Sequence, residues 1–234
     1  MRVGIIQSSF IPWRGYFDFI ASVDMFVCYD DVQYSKGSWR NRNRIKCQDG
    51  ARWLTVPVRH KSLKQLIIET EIDDEKHWRE SHAAIWHTSY ADAPFFNDVL
   101  KLLGDMGNGK IRTISQLNIQ LIRSICAYLD IQTPLILSSE FKVKGRRTGR
   151  LIDLLRAVGA TTYLSGPSAD NYLEKDKFKE AGIRLEYKSY DYDPYPQLWG
   201  PFEGAVSVLD MIANCGPQSK TLIRSKNSDL VVVT

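Results

Sequence analysis

"GIIQSSFIPWRGYFDFI", residues 4 to 20, joins an apolar run that stops at Gln7 to an aromatic stretch with helical spacing, by way of Pro12-Trp13 and Gly15. Val3 to Ile6 has the length and character of a short buried strand, and Tyr16 to Val23 that of a helix lying against it. Met25 to Tyr29 is a second apolar run of strand length. Strand, short crossover and strand is how a parallel sheet begins, because the connecting helix returns the chain alongside itself in one direction. A first strand that ends in a polar residue also prepares a place for a small molecule beyond that end. Gly15 would let backbone approach such a ligand closely.

The alternation returns in the second half. "TPLILSS" (133–139), "TTYLSG" (161–166) and "IRLEYKSY" (183–190) read as strands, separated by the helices "RTGRLIDLLRAVG" and "NYLEKDKFKEAG", each closed by a glycine, Gly159 or Gly182. "SVLDMIANCGPQSKTLIR" reads as two short helices split at Gly216-Pro217, and "NSDLVVVT" as a frayed tail or an edge strand. Between the halves the pattern differs. "SWRNRNRIK" and "RWLTVPVRH" alternate around the turn "QDG", which predicts a β-hairpin, and "KQLIIETEI" adds a possible third strand. "HWRESHAAIWHTSY", "FFNDVLKLLGDM" and "ISQLNIQLIRSICAYLDI" are helical, with Leu117, Leu121, Ile125 and Leu129 on one stripe, and Gly104, Gly107 and Gly109 mark a loop. The expected fold is α/β: a parallel sheet flanked by helices, one domain over 1–234, with a hairpin and helical lobe inserted at about 35–130.

Composition narrows the function classes. Of 234 residues, 44% are hydrophobic and 25% charged, so a sizeable core is expected and disorder is not. Thirty-one Lys+Arg against 27 Asp+Glu leave +4, a mild excess that is compatible with an anionic small substrate without pointing to one, whereas a nucleic-acid binder would more often carry a denser basic face. Cys28, Cys47, Cys126 and Cys215 lie far apart without a C-x-x-C pair, which argues against a zinc site or a disulfide framework and for reduced thiols in the cytoplasm. No signal peptide and no apolar stretch of membrane-spanning length stands out, so no membrane insertion is expected.

Three strand ends are polar: Gln7-Ser8-Ser9, Ser138-Ser139 and Ser165-Gly166-Pro167-Ser168. Each offers hydroxyls, amides or backbone N–H groups to an anion, and their convergence would make a site. In "YDDVQY", Asp30 and Asp31 follow the second strand; such a pair could supply a general base, bind Mg²⁺ or hold an amine. Adjacent residues point to opposite faces, so one of the two should look into the cleft. Arg40, Arg42 and Arg44 fall on one face of the predicted hairpin strand, with Trp39, Asn41 and Asn43 on the other. A guanidinium row there, Arg42 and Arg44 above all, suits the phosphates of a nucleotide. His82 is either a proton shuttle or a ring packed between Trp78 and Trp86 one turn away. Asn171, Tyr172, Tyr195 and Gln197 sit in loops where tyrosines could stack on a base or sugar. A thiol nucleophile at Cys215 has no histidine near it in sequence to activate it.

"PWRGYFDFI" resembles the outline of the histidine-x-glycine-histidine signature of a nucleotidyl-transferring α/β superfamily that includes pantothenate synthetases and class I aminoacyl-tRNA synthetases. That resemblance implies a Rossmann-like (HUP-like) sheet and makes ATP with Mg²⁺ a possible cofactor. Trp13 and Tyr16 stand at the histidine positions, however, and neither brings a cation to a phosphate. A closer resemblance spans nearly the whole chain. "QSSFIPWRGYFDFIASVDMFVCYDDVQYSKGSWRNRNRIK", "WLTVPV", "YADAPFF", "LNIQLI", "YLSGPSADNYL" and "SVLDMIANCGP" are similar, in order and spacing, to the WbqC-like family. This resemblance implies a place in bacterial lipopolysaccharide O-antigen or related glycan biosynthesis. The expected activity is N-acyl or N-aminoacyl transfer to a nucleotide-linked amino sugar. In it Arg42 and Arg44 hold diphosphate, Asp30 or Asp31 takes the amine proton, and Gln7 with Ser165 and Gly166 polarises the acyl donor. Ser9, Trp13, Tyr16, Ser168, Tyr172, Tyr195 and Gln197 complete the expected lining. A non-catalytic nucleotide-sugar-binding or assembly protein and a tRNA or other nucleic-acid binder are the alternatives.

Overall fold

A computed structural model describes residues 1–104 and 111–234; the glycines Gly107 and Gly109, expected to mark a loop, lie outside the described residues. Five parallel strands, β1 (Arg2–Ile6), β2 (Met25–Cys28), β7 (Leu135–Leu137), β8 (Thr162–Ser165) and β9 (Arg184–Tyr187), form the central sheet with an antiparallel edge strand, β10 (Leu230–Val233). The order is β10-β9-β8-β1-β2-β7, so the chain builds outward from β1 on one side, then returns and builds outward on the other. The topology reverses between β1 and β8, and the carboxyl edge there is where such sheets leave a crevice.

Alternation along β1 explains the two layers. Val3 and Ile5 face a cluster with Val27, Leu154, Leu155, Phe178 and Leu185, which seats α5 (Arg147–Ala157) and α6 (Lys175–Ala181). Gly4 points the other way, toward Phe19 of α1 (Arg14–Ala21); a Cβ there would lie 2.3 Å from the ring, so only glycine lets the helix pack this closely. Phe17, Phe19 and Phe26 continue into the larger core, which takes in the stripe Leu117, Leu121, Ile125 and Leu129 of α4 (Ile114–Tyr128) and its C-cap. That helix opens on a capping box: Gln116 N–H donates to Thr113 Oγ1 at 3.3 Å while Gln116 Oε1 accepts from Thr113 N–H at 3.1 Å.

Between β2 and β7 the chain leaves the sheet. It forms the hairpin β3 (Arg42–Cys47) and β4 (Gly50–Thr55), the two-residue pair β5 (Val58–Arg59) and β6 (Glu71–Ile72), then α2 (Trp78–Tyr90), α3 (Phe96–Gly104) and α4. The third strand expected over 64–72 is mostly absent. A 3₁₀ turn, Ile67–Glu69, replaces it, because side chains bind the local backbone: Thr70 Oγ1 donates to Leu66 O at 2.8 Å and Gln65 Oε1 accepts from Lys61 N–H at 2.7 Å. After β9 come α7 (Val208–Cys215) and α8 (Ser219–Leu222), divided at Gly216-Pro217 as expected. The terminal segment is the edge strand, pinned by Asp229, which accepts from Arg2 Nη2 (2.6 Å), Lys188 Nζ (3.1 Å) and Ser189 N–H (2.9 Å).

Candidate functional site

The polar end of β1 runs between two cavities at the carboxyl edge of the sheet, and Ile6 lines both. The first, about 660 Å³, is walled by Trp13, Arg14 and Tyr16 at the start of α1, Trp39, Arg40 and Asn43 at the hairpin, and Tyr190 and Tyr192 beyond β9. The second, about 860 Å³, lies over the reversal point, among Gln7, Tyr29, Arg147, Thr148, Ser165, Gly166, Ser168 and Tyr172. Two of the three polar strand ends thus meet around Ile6. The third does not join them, since Ser138 Oγ donates to Asp31 at 2.5 Å.

The β1–α1 segment is held in an unusual course. Ile11 has φ +35°, a left-handed conformation that a β-branched residue adopts at a cost of about 1–3 kcal/mol. Asn43 secures it by donating Nδ2 to both Phe10 O (3.1 Å) and Ile11 O (2.9 Å). Trp13 then folds back over the helix it precedes: a Cβ on Gly15 would come within 2.4 Å of the indole. Gly15 therefore makes room for the Trp13 ring, not for a ligand. The indole packs on Tyr190 and Tyr192, with centroids 5.2 and 5.9 Å away, giving the first cavity an aromatic wall.

Arg40 organises the junction. It lies just before β3, so it is not in line with Arg42 and Arg44 as strand alternation suggested; a turn aims it back at β1. Its Nη1 donates to Gln7 Oε1 at 2.6 Å and its Nη2 to Ser9 Oγ at 2.8 Å, while its carbonyl accepts from Asn118 Nδ2 at 2.8 Å. Because Arg40 occupies the Gln7 oxygen, the Gln7 amide nitrogen is the end left free on the wall of the second cavity. Arg14 is only 5% exposed, donates to Asp193 O at 2.8 Å, and rests on the Tyr192 and Tyr195 rings at 4.5 and 5.3 Å. Burial draws the pKa of both arginines down from the ordinary value.

Asp30 and Asp31 do face opposite ways, and neither is among the residues lining the two cavities. Asp30, 2% exposed, accepts from Ser8 N–H (2.8 Å), Ser8 Oγ (2.7 Å) and Ser115 Oγ (2.5 Å). Asp31 pairs with Arg150 Nη2 at 2.5 Å. Donors from the protein occupy both carboxylates, which leaves little of either for Mg²⁺ or an amine. Arg42 lies over Trp53 at 4.2 Å, and Arg44 reaches Ala205 O at 3.1 Å and Glu203 at 3.9 Å, so the expected phosphate pair sits on the outer hairpin face. Tyr195 and Gln197 lie behind the first cavity, donating to buried Asp210 at 2.8 and 2.5 Å; desolvation raises the Asp210 pKa, opposed by these donors.

His82 packs edge-on to Trp78 at 5.0 Å with Nε2 3.2 Å from Thr55 O, and burial brings its pKa down to about 4. It is neutral at pH 7 and lines neither cavity. Cys215 is buried and its thiol pushed up to about 11 by desolvation, far from thiolate character at neutral pH. Sequence reasoning passed over Arg14, Asn43, Tyr190, Tyr192, Arg147 and Thr148 as lining residues, and it had Arg40 only as a member of the hairpin row with Arg42 and Arg44. Arg14 lay in plain view, between Trp13 and Gly15 at the helix start.

No helix among the described residues is long and apolar enough to cross a membrane, and no group of three or more His, Cys, Asp or Glu among them is placed to hold a metal. No solved structure matches the chain significantly. A protein of Mycobacterium tuberculosis (strain ATCC 25618 / H37Rv), "Uncharacterized protein Rv1507c", is 43% identical over 226 residues, covering 95% of this chain and 97% of that one. The family model described as WbqC-like protein family matches residues 7–222. The chain belongs to the WbqC-like protein family.

Proposed function

We propose that this protein is a transferase of surface-glycan biosynthesis that acylates or aminoacylates the amine of a nucleotide-linked amino sugar. The observation that carries the reading is the pair of cavities that share Ile6 in their walls, with Gln7 on the second, a layout suited to two small molecules brought side by side at the end of one strand. The larger cavity is assigned to the nucleotide sugar. Arg147, with Thr148 at the start of α5 and the Ser165-Gly166 backbone beside it, offers donors for a diphosphate, the role first expected of Arg42 and Arg44. The aromatic cavity is assigned to the acyl donor. In the reaction the amine attacks the donor's carbonyl carbon, a C–N bond forms, the bond to the leaving group breaks, and the surplus amine proton passes to the leaving group or to water. The free amide nitrogen of Gln7 donates to the oxygen that gains charge. The HUP-like reading of the sheet is kept as part of this proposal, supported by a strand order that reverses beside β1.

Incubation with nucleotide-linked amino sugars and activated acyl donors, followed by mass spectrometry, tests the reading. Gln7→Ala should lower turnover by about 10²–10³-fold with little change in KM. No product from any pair, together with no binding of nucleotide sugars, would sink it. A second reading, a nucleotide-sugar-binding protein without turnover, is favoured by the occupied carboxylates of Asp30 and Asp31. Binding without product would select it.

A further inference from the structure

The aromatic cavity holds two guanidinium groups, those of Arg14 and Arg40, that have no carboxylate partner among the described residues. Their direct contacts are two carbonyls, a side-chain amide oxygen, a hydroxyl and aromatic faces, all of them neutral. Arg14 is 5% exposed, and the Nε of Arg40 is buried with nothing to receive its hydrogen. The one acidic side chain in the lining, Asp191, is already matched by Asn227 Nδ2 at 3.0 Å and Lys226 at 3.8 Å. The cavity faces one buried and one half-buried positive charge, neither in an ion pair. Asp193 near Arg14 and Asp30 near Arg40 act on them only from beyond contact distance, so an incoming anion supplies the direct partner that both lack. The remaining wall is aromatic, from Trp13, Tyr16, Tyr190 and Tyr192. Such a wall favours a flat ring or acyl body over a small hydrated ion.

We infer that the aromatic cavity is a binding site for an organic anion, a phosphate or carboxylate carried on a flat or apolar body, with Arg14 and Arg40 supplying its charge. Naming that anion as the acyl donor of the transfer reaction rests on the function proposed above; the anion site itself does not.

The fluorescence of Trp13 and Trp39, both in the cavity wall, offers a signal for occupancy of the intact chain. Two probe pairs separate the sources of charge: adenosine 5′-monophosphate against adenosine, and phenylacetate against phenylacetamide. The wild type should bind the anion of at least one pair about 10- to 100-fold more tightly than its neutral counterpart. A preference in the first pair alone makes the ligand a phosphate ester, and in the second alone a carboxylic acid. Arg40→Met should remove the preference, and Arg42→Met, on the outer hairpin face, should keep it. If Arg40→Met does not fold, competition by sulfate against the bound anion on the wild type reads the same site without a variant. Equal affinity within both pairs, or equal loss in both variants, would overturn the inference. Anion preference without transfer product would retire the function and leave the site standing; product without anion preference would do the reverse.

Discussion

Asp30 receives three hydrogen bonds in a space that is 2% exposed, and two of them come from Ser8 at the end of β1. Its work is to fix where the strand stops. Asp30→Asn keeps the shape but sets an amide N–H₂ against groups that are themselves donors, and a loss of about 1–3 kcal/mol in a urea titration is expected. An unchanged midpoint would return Asp30 to the list of candidate bases. His82 gives a second measurable effect. Its pKa is about 4 in the fold against 6.5 for the unconstrained group, so the unfolded chain takes up the proton first. Stability should therefore be intact above about pH 6.5 and fall as pH drops toward 4, by on the order of 3 kcal/mol. His82→Phe should flatten that part of the pH profile.

At the level of elements, the start of α1 turns on the fit between Gly15 and Trp13. Adding a methyl group at position 15 forces the indole away, since the two would be 2.4 Å apart. Gly15→Ala should thus weaken occupancy of the aromatic cavity about 10-fold, despite the better helix propensity of alanine. A Trp13→Ala, Gly15→Ala double variant should be no worse than Trp13→Ala alone, and thermal melts with ligand titration check both. This element also marks how far sequence could reach. Strand and helix were legible from apolar period, because burial on one face leaves a pattern. The left-handed Ile11 and the backward fold of Trp13 were not, because they depend on Asn43 and the space over Gly15, which no period records. Arg40 was missed as a junction residue for a related reason. Alternation assumed that the strand had already begun, whereas β3 starts at Arg42, and the preceding turn redirects the side chain.

For the molecule as a whole, the parallel sheet, the hairpin between its halves and the helix stripe could be read from the sequence. Which polar strand ends would meet could not, since that depends on strand order. The edge strand was left open between two readings, and Asp229 settles it by tying the tail to Arg2 and Lys188. Lys188 is 5% exposed and otherwise pairs with Asp18 at 3.0 Å, so Asp229→Ala leaves a buried cation half matched. A destabilisation of about 2 kcal/mol is expected, with loss of amide-exchange protection along β9; full protection in the variant would show that β10 holds by its backbone alone.

The strand order also has a consequence for the growing chain. β1 is made first, yet one of its two neighbours, β8, begins only at Thr162. During synthesis β1 can pair with β2, but Val3 and Ile5 must wait, uncovered, until the second half of the polypeptide has left the ribosome. An open strand edge with apolar side chains beside it is a template for wrong partners. Nascent chains arrested before residue 160 should therefore bind chaperones or aggregate, and release should follow only once the segment through β9 has emerged.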